Sequence, residues 1–341
     1  MTTNVLADLY RSLKTVGLTK GQVASILPGW WEPDLAKTAS GARETALMLG
    51  RRLNIDASAL LEGRIQSLRG AAPPRYKHTV RVTAEQLAPA TMIATSLARA
   101  IVGAMPKRSA VQLPVSAIEL REQLLSGPSG RVDFDAILSF CWGQGVPIIP
   151  LPNLPKGVRK MDAAAIRVNS HPVVVIALKN NSKAWLSFLL AHELGHLCLG
   201  HVPDDTALVE GSLSDSSEFD AESQQDQQEA EANQFAHLLL GGAEADAVVG
   251  KWSRNLPPVS LATDAMDAAD ALRTAPGHLV LRYAFQTHRW AEARTALNFL
   301  SEDMSAQDTL VARLRTEIDT SLLGEDMSDY VEQITGVVHL G

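Results

Sequence analysis

Cysteine is scarce in this chain, since only Cys141 and Cys198 are cysteines among 341 residues. Two cysteines cannot form a disulfide framework, which excludes the small disulfide-stabilised class of secreted proteins and suits a reducing cytoplasm. We also expect no secretory signal, because Met1 to Tyr10 has neither a basic start nor an apolar run. We therefore predict a cytoplasmic protein.

The chain also lacks a hydrophobic run that is typical of a membrane span. The most apolar stretch, Leu87 to Met105, carries Pro89, Arg99 and several small polar residues. We expect it to form a packed helix and expect no membrane partner. The composition, 46% hydrophobic and 20% charged residues, is ordinary for a soluble globular protein, and the length allows two or three domains.

Basic residues are unevenly distributed. Residues 1–82 hold 12 Lys and Arg against 6 Asp and Glu, or +6, so the remainder holds 31 − 12 = 19 against 38 − 6 = 32, or −13. The basic amino-terminal part is compatible with nucleic acid binding, although a solvated surface is as common. Residues 203–231 contain ten acidic residues and no Lys or Arg. We expect this segment to be a mobile loop that buries little apolar area.

One short motif carries chemistry. The sequence A-H-E-L-G-H places His192, Glu193 and His196 in the H-E-x-x-H pattern. Two histidines four residues apart lie on one face of a helix, where both can bind one zinc ion. Glu193 lies beside that face and is long enough to act as a general base toward water at the metal. The motif predicts a catalytic zinc site.

The flanking sequence predicts a helix around this motif. Ser182 is the expected N-cap, and Gly200 is the residue expected to end the helix. Apolar residues from Trp185 to Leu199 share the face of the two histidines, so the metal should lie in a half-buried cleft. Cys198 lies off that face and is expected to be a small buried residue.

A third ligand must come from elsewhere. His201 is one option, although the three-histidine arrangement needs its last histidine one residue later. The other option is a carboxylate from a second predicted helix at Glu229 to Ala236, which would complete a His2Glu site. Glu229 and Glu231 lie about 200° apart around a helix, so only one can face the metal. Glu229 shares its face with Asn233, which is placed to orient a ligand.

These motifs resemble a known family. A-H-E-L-G-H followed by E-x-x-A-N-x-F-A is similar to the ImmA/IrrE metallopeptidases, bacterial and phage enzymes associated with cutting repressor proteins. The resemblance extends over Val132 to Leu240. It implies an α+β, zincin-like (gluzincin-type) domain with a small sheet and zinc helices. It also implies that His192, His196 and Glu229 are the zinc ligands. Glu193 would then be the general base, and Asn233 would support one of the ligands.

The residues before the motif fit this layout. A helix is predicted at Phe134 to Trp142, and three strands are predicted at Val146 to Leu151, Ala164 to Asn169 and Val173 to Leu178. In zinc peptidases the strand beside the metal helix commonly accepts the substrate as an added strand, and the third predicted strand is the candidate for this role. The alternative is a simple buried strand, which an all-apolar run equally indicates.

The amino-terminal part resembles a helix-turn-helix domain of the XRE class. The recognition helix of that class would fall at residues 28–33, which read P-G-W-W-E-P here. The two prolines and the glycine disfavour a helix at this place. We expect Trp30 and Trp31, if exposed, to suit a protein contact or a core better than a DNA groove. The predicted helices run from Val5 to Thr15, from the capping residue Thr19 onward and from Arg43 to Leu53.

Four regions are predicted in total. They are a helix-turn-helix-like domain at 1–69, a linker and helical region at 70–130 that begins with Gly70 to Lys77, a zinc metallopeptidase domain at 131–250, and a helical region at 251–341 for packing or self-association as a homo-oligomer.

The predicted function is an intracellular zinc endopeptidase that cleaves a transcriptional repressor or antitoxin-like partner in stress or phage and mobile-element regulation. His237 and His201 are candidates for stabilising the oxyanion. One alternative is a DNA-binding regulator or antitoxin-like module that uses a metal-stabilised peptidase fold as a sensor. Glu193 argues against it, because a purely structural metal needs no base. A zinc hydrolase of another substrate is a third reading.

Overall fold

The structure is a computed structural model that describes residues 5–68, 74–76, 83–105, 112–211, 224–300 and 304–337. Within these ranges the α-helices are α1 (Val5–Thr15), α2 (Lys20–Ile26), α3 (Ala39–Leu53), α4 (Ala57–Leu61), α5 (Ala84–Ala104), α6 (Ala117–Leu125), α7 (Phe134–Gly143), α8 (Lys183–Cys198), α9 (Gln224–Gly241), α10 (Ala245–Val249), α11 (Pro258–Ala271), α12 (Pro276–Thr287), α13 (Trp290–Leu297), α14 (Ala306–Glu317) and α15 (Glu325–Thr335). The strands are β1 (Arg75–Tyr76), β2 (Ile148–Pro150), β3 (Ala163–Val168), β4 (His171–Ile176) and β5 (Ala207–Glu210). The combination of many helices and one small mixed sheet is an α+β architecture.

The five strands form one sheet in the order β1-β5-β3-β4-β2. β3 and β4 form an antiparallel hairpin through Asn169 and Ser170, which both have positive φ, as a tight hairpin turn requires. β2 pairs parallel with the other edge of β4. The expectation that β4 accepts a substrate strand is therefore wrong, because both of its edges are already paired. The alternative, a buried strand, is confirmed.

β5 was not predicted, because it lies inside the acidic segment 203–231. Its residues Ala207–Glu210 are buried and pair antiparallel with β3. The expectation that this whole segment buries little apolar area is therefore wrong, since one short apolar run within it completes the sheet. The middle of the segment, 212–223, lies outside the described residues, as does the predicted linker at Gly70 to Lys77 except for Pro74 to Tyr76.

α5 packs as a core helix. It contacts the sheet on one side and α3 on another. By length and composition alone it is apolar enough to cross a membrane, but 61% of its most apolar window is buried inside the fold. The prediction of a packed helix around Leu87 to Met105 is confirmed, and Pro89 is accommodated in the second turn.

The amino-terminal helices share a hydrophobic core with the sheet and with α14 and α15. Arg52, 1% exposed, joins these parts because its guanidinium donates to the carbonyl of Ile26 and to the carbonyl and carboxylate of Asp326. Residues 245–296, by contrast, form a second hydrophobic cluster from α10 to α13. The helical region after residue 251 thus contributes to two different cores.

The segment between α2 and α3 contains a single 3-10 turn, Leu35–Lys37. Trp30 is 57% exposed, whereas Trp31 is 8% exposed, so Trp31 takes the core position that was one of the two alternatives. Trp31 turns inward because its backbone amide closes a turn onto the Pro28 carbonyl, and its indole Nε1 donates to Thr45 Oγ1 over 3.0 Å. The aromatic ring is thereby part of the core of this region.

Candidate metal centre

α8 carries the H-E-x-x-H motif and begins and ends as the sequence indicates. Ser182 occupies the N-cap position, although its side chain makes no capping hydrogen bond. Gly200, with φ of +74°, lies just beyond the end of the helix, where a left-handed conformation favours glycine. The helix is buried on every side from Leu186 to Cys198. This burial corrects the expected half-buried cleft, because α8 is covered by the sheet, α7, α9 and α12.

Gly195 lets α9 approach α8 closely. A Cβ at this position would lie 3.1 Å from Ala232 Cα, 3.1 Å from Phe235 Cβ and 3.2 Å from the Ala232 carbonyl oxygen. At the far end of α9, the buried guanidinium of Arg121 donates to the carbonyls of Leu239 and Leu240, each over 2.8 Å. The close approach at Gly195 thus joins α9 to α8, and Arg121 joins α9 to α6; neither contact was recognised from the sequence.

Three donor atoms from these two helices converge. His192 Nε2 and His196 Nε2 are 3.0 Å apart, and the Glu229 carboxylate lies 3.3 Å from His192 Nε2 and 3.4 Å from His196 Nε2. All three side chains are 0–2% exposed. Zinc binds imidazole nitrogen and carboxylate oxygen at about 2.0–2.2 Å, so tetrahedral ligand atoms lie about 3.3–3.5 Å apart. The observed separations fit one small tetrahedral cation.

A hydrogen bond fixes the tautomer of His192. Its Nδ1 lies 3.0 Å from Asn233 Oδ1, an oxygen that can only accept. Nδ1 therefore carries the proton, and the Nε2 lone pair points toward Glu229. Asn233 thus orients a metal donor, as its spacing from Glu229 indicated.

A longer chain of hydrogen bonds fixes His196. The Glu231 carboxylate accepts from His201 Nε2 over 3.0 Å, so His201 Nδ1 is an acceptor. His196 Nδ1 lies 3.0 Å from this atom and must donate to it, which leaves the lone pair on His196 Nε2. Burial lowers the pKa of His196 to about 4 and lowers the pKa of His201, so both rings are neutral at neutral pH.

The charge on Glu229 completes the donor set. The Glu229 carboxylate is 2% exposed, so its negative charge needs a positive partner close by. Two imidazole lone pairs and a carboxylate thus meet at one buried point. These groups repel one another unless a cation lies among them. The two imidazole nitrogens and the carboxylate are therefore a donor set that fits a metal ion.

The other predicted residues have different positions. His201 lies behind His196 and uses both ring nitrogens there, so it is not the third donor, and Glu231 contacts His201 and not the metal donors. Glu193 is 1% exposed beside His192. His237 lies farther along α9 against Phe188, and burial lowers its pKa to about 3. Cys198 is buried as expected, and burial raises the pKa of its thiol to about 12.

We expect Gly195→Ala to weaken metal binding about tenfold, because substitutions that disturb the ligands indirectly commonly lower metal affinity by about 10–100-fold. The added methyl group would push α9 away from α8 by a few tenths of an ångström and so separate Glu229 from the histidines. Metal titration by calorimetry measures this loss. Gly103→Ala, on an exposed part of α5 with open space around the added atom, is the control that should bind metal as the wild type does. Unchanged affinity in Gly195→Ala would contradict the role of this close approach.

Comparison with known proteins adds one finding. No curated protein matches the chain. Residues 144–247 match the model of a family described as Peptidase_M78: IrrE N-terminal-like domain. This match covers the sheet after α7, the whole of α8 and α9, and all three metal donors. It supports the resemblance to the ImmA/IrrE family and leaves the amino-terminal helices without a family match. The central part of the chain is thus similar to a family of metallopeptidases, with a buried His-His-Glu group that fits a metal ion.

Proposed function

We propose that this protein is a cytoplasmic zinc-dependent endopeptidase with a zincin-like catalytic domain. The observation that carries the proposal is the convergence of His192, His196 and Glu229. With both imidazoles neutral and the carboxylate ionised, none of the three converging donor atoms carries a proton. A site built only for stability needs no acid or base nearby. Here Glu193 follows the first donor directly and is buried beside it.

The roles follow from these positions. A zinc ion held by the three donors would supply Lewis-acid polarisation of the scissile carbonyl and of a water molecule. Glu193 would take a proton from the attacking water and pass it to the leaving amine. Asn233 and His201 hold the two imidazoles in the tautomer that leaves Nε2 free to bind the metal. His237, whose Nδ1 has no hydrogen-bond partner among the described residues, is the better candidate to stabilise the oxyanion.

The proposed substrate is a transcriptional repressor or antitoxin-like protein encoded nearby, cleaved at one or a few sites in stress or mobile-element regulation. The resemblance to the ImmA/IrrE family supports this choice. The test is metal analysis of the purified protein, followed by incubation with the repressors encoded by neighbouring genes and mass spectrometry of the products. One zinc per chain and a discrete cleavage are expected. General digestion of casein without cleavage of any such repressor would contradict the substrate, and absence of cleavage in every mixture would contradict the peptidase.

DNA binding by residues 1–69 is a second proposal, supported by the charge of +6 in residues 1–82. Arg52 ties this region to Asp326, so a deletion would open the core and point variants are the better test. Arg43 and Arg51 are exposed on α3. Arg43→Glu with Arg51→Glu should weaken a salt-dependent DNA affinity at least about tenfold, because each removed phosphate contact lowers binding at low salt. Arg315→Glu on α14 is the control. Wild-type protein that binds no DNA at low salt would contradict this proposal.

A further inference from the structure

A large cavity lies beside the candidate metal centre. Its volume is about 840 Å³, and its walls come from the first half of α8, from α9, and from α12 and α13. Ligand-binding clefts commonly measure about 300–1,000 Å³ and occur where separate packing units meet. Here the second hydrophobic cluster meets the catalytic core, so the carboxyl-terminal helices build one wall of this cavity.

Aromatic rings form the apolar wall of the cavity. Trp185 and Trp290 stack with ring centroids 5.8 Å apart, Trp290 meets Phe285 edge-on at 4.9 Å, and Phe285 contacts Phe188 at 5.2 Å. The chain has only six Trp and seven Phe, and two of each line this one cavity. Trp185, Phe285 and Trp290 are partly exposed. They therefore offer flat apolar surface on which another aromatic ring can stack.

The cavity touches the residues that hold the metal donors. Asn233 lines it and accepts the hydrogen bond of His192 Nδ1 over 3.0 Å. Phe188 lines it as well, and its ring centroid is 6.4 Å from that of His192. Only one layer of side chains thus separates the cavity from the donors. A peptide cleaved at the metal would place a neighbouring side chain within reach of it.

One cation at the cavity lacks a counter-charge. Arg282 forms a bidentate ion pair with Asp246, so their formal charges cancel. Arg294, exposed on α13, lines the cavity and forms no ion pair or hydrogen bond within the described part of the chain. An entering group that carries a carboxylate beside an aromatic ring would match both the rings and this guanidinium.

We propose that the cavity is the subsite that receives an aromatic side chain of the peptide substrate, next to an acidic residue that pairs with Arg294. This inference rests on the proposed peptidase function and gives it a substrate class: segments that hold Phe, Tyr or Trp beside Asp or Glu. The carboxyl-terminal helices, which carry Trp290 and Arg294, are then the part of the protein that selects the cleavage site.

The first test is cleavage of peptide libraries by the metal-loaded full-length protein, with products identified by mass spectrometry. We expect an aromatic residue at one fixed distance from the cleaved bond, preferred over alanine by at least about tenfold in kcat/KM, as burial of a large apolar side chain allows. Trp290→Ala should lower this preference ratio about tenfold. Ala243→Trp, which fills the cavity from its exposed rim and removes nothing from the core, should lower it as well.

The acidic neighbour has a test of its own. Arg294→Glu should reverse the preference at the adjacent position from acidic to basic residues. Arg315→Glu makes the same charge change on an exposed helix outside the cavity and should keep the wild-type preference. Cleavage without any aromatic or acidic preference would overturn the subsite. An aromatic preference that is unchanged in both Trp290→Ala and Ala243→Trp would overturn it as well. Either result would leave the peptidase proposal standing.

A binding measurement separates the two proposals. In the metal-loaded Glu193→Gln protein, acetyl-Asp-Phe-amide should bind at least about tenfold more tightly than acetyl-Ala-Ala-amide by calorimetry, and Trp290→Ala should remove the difference. If no peptide is cleaved but this binding is observed, the peptidase proposal fails and the cavity stands only as a binding site for an aromatic residue beside an acidic one. If neither dipeptide is preferred, the subsite fails. Tighter binding of free phenylacetate than of the dipeptide would also overturn it, because the cavity would then hold a small molecule.

Discussion

Glu193→Gln is expected to abolish peptide cleavage and to leave one metal ion per chain. The substitution removes the base and keeps the shape of the side chain, while the three donors His192, His196 and Glu229 stay in place. General base catalysis contributes about 10²–10⁴-fold, so kcat/KM should fall by at least about a hundredfold. Cleavage of the identified substrate and metal content by atomic absorption are the two measurements.

Controls make this result specific. Glu122→Gln is the same substitution at an exposed position of α6 and should keep full activity. Loss of metal from Glu193→Gln would show that Glu193 is a ligand or supports one, which contradicts its assignment as base. Full retention of activity would instead favour the alternative reading, in which the metal stabilises a sensor and the cleavage comes from a contaminant.

Glu229→Ala is expected to release the metal and to remove all activity, whereas Glu231→Ala should keep most of both. Loss of a residue that only supports a ligand costs about 10–100-fold in metal affinity, so loss of the ligand itself should cost more than about a hundredfold. Thermal stability of the metal-loaded protein should fall as well, because the ion links α8 to α9.

Glu231 is the matched control because it is the same residue two positions along the same helix. It contacts His201, which contacts His196, so two side chains separate it from the metal. We expect a loss of at most about tenfold in metal affinity from Glu231→Ala. Calorimetric titration of both variants decides the assignment. The reverse pattern would mean that α9 is rotated relative to α8.

The sequence alone determined those features that depend on short separations along the chain. The spacing of His192 and His196 places both on one helix face, and the four-residue step from Glu229 to Asn233 selected the carboxylate that the structure brings to the histidines. The three predicted strands and the limits of α7 also agree with the structure to within a few residues. Each of these rests on local periodicity, which neighbouring residues fix by themselves.

Only the tertiary structure decided features that depend on distant partners. β4 is an interior strand because β2, more than twenty residues away, covers its second edge, and Trp31 is buried because Thr45 lies opposite it. Glu231 reaches His201 only once α9 has packed against the end of α8.

The aromatic cavity depends most strongly on the fold, since Trp185 and Trp290 stack although they are 105 positions apart (290 − 185 = 105). A pattern within one segment cannot report such contacts, because edge pairing, burial and cavity walls are set by which surfaces meet when the chain folds.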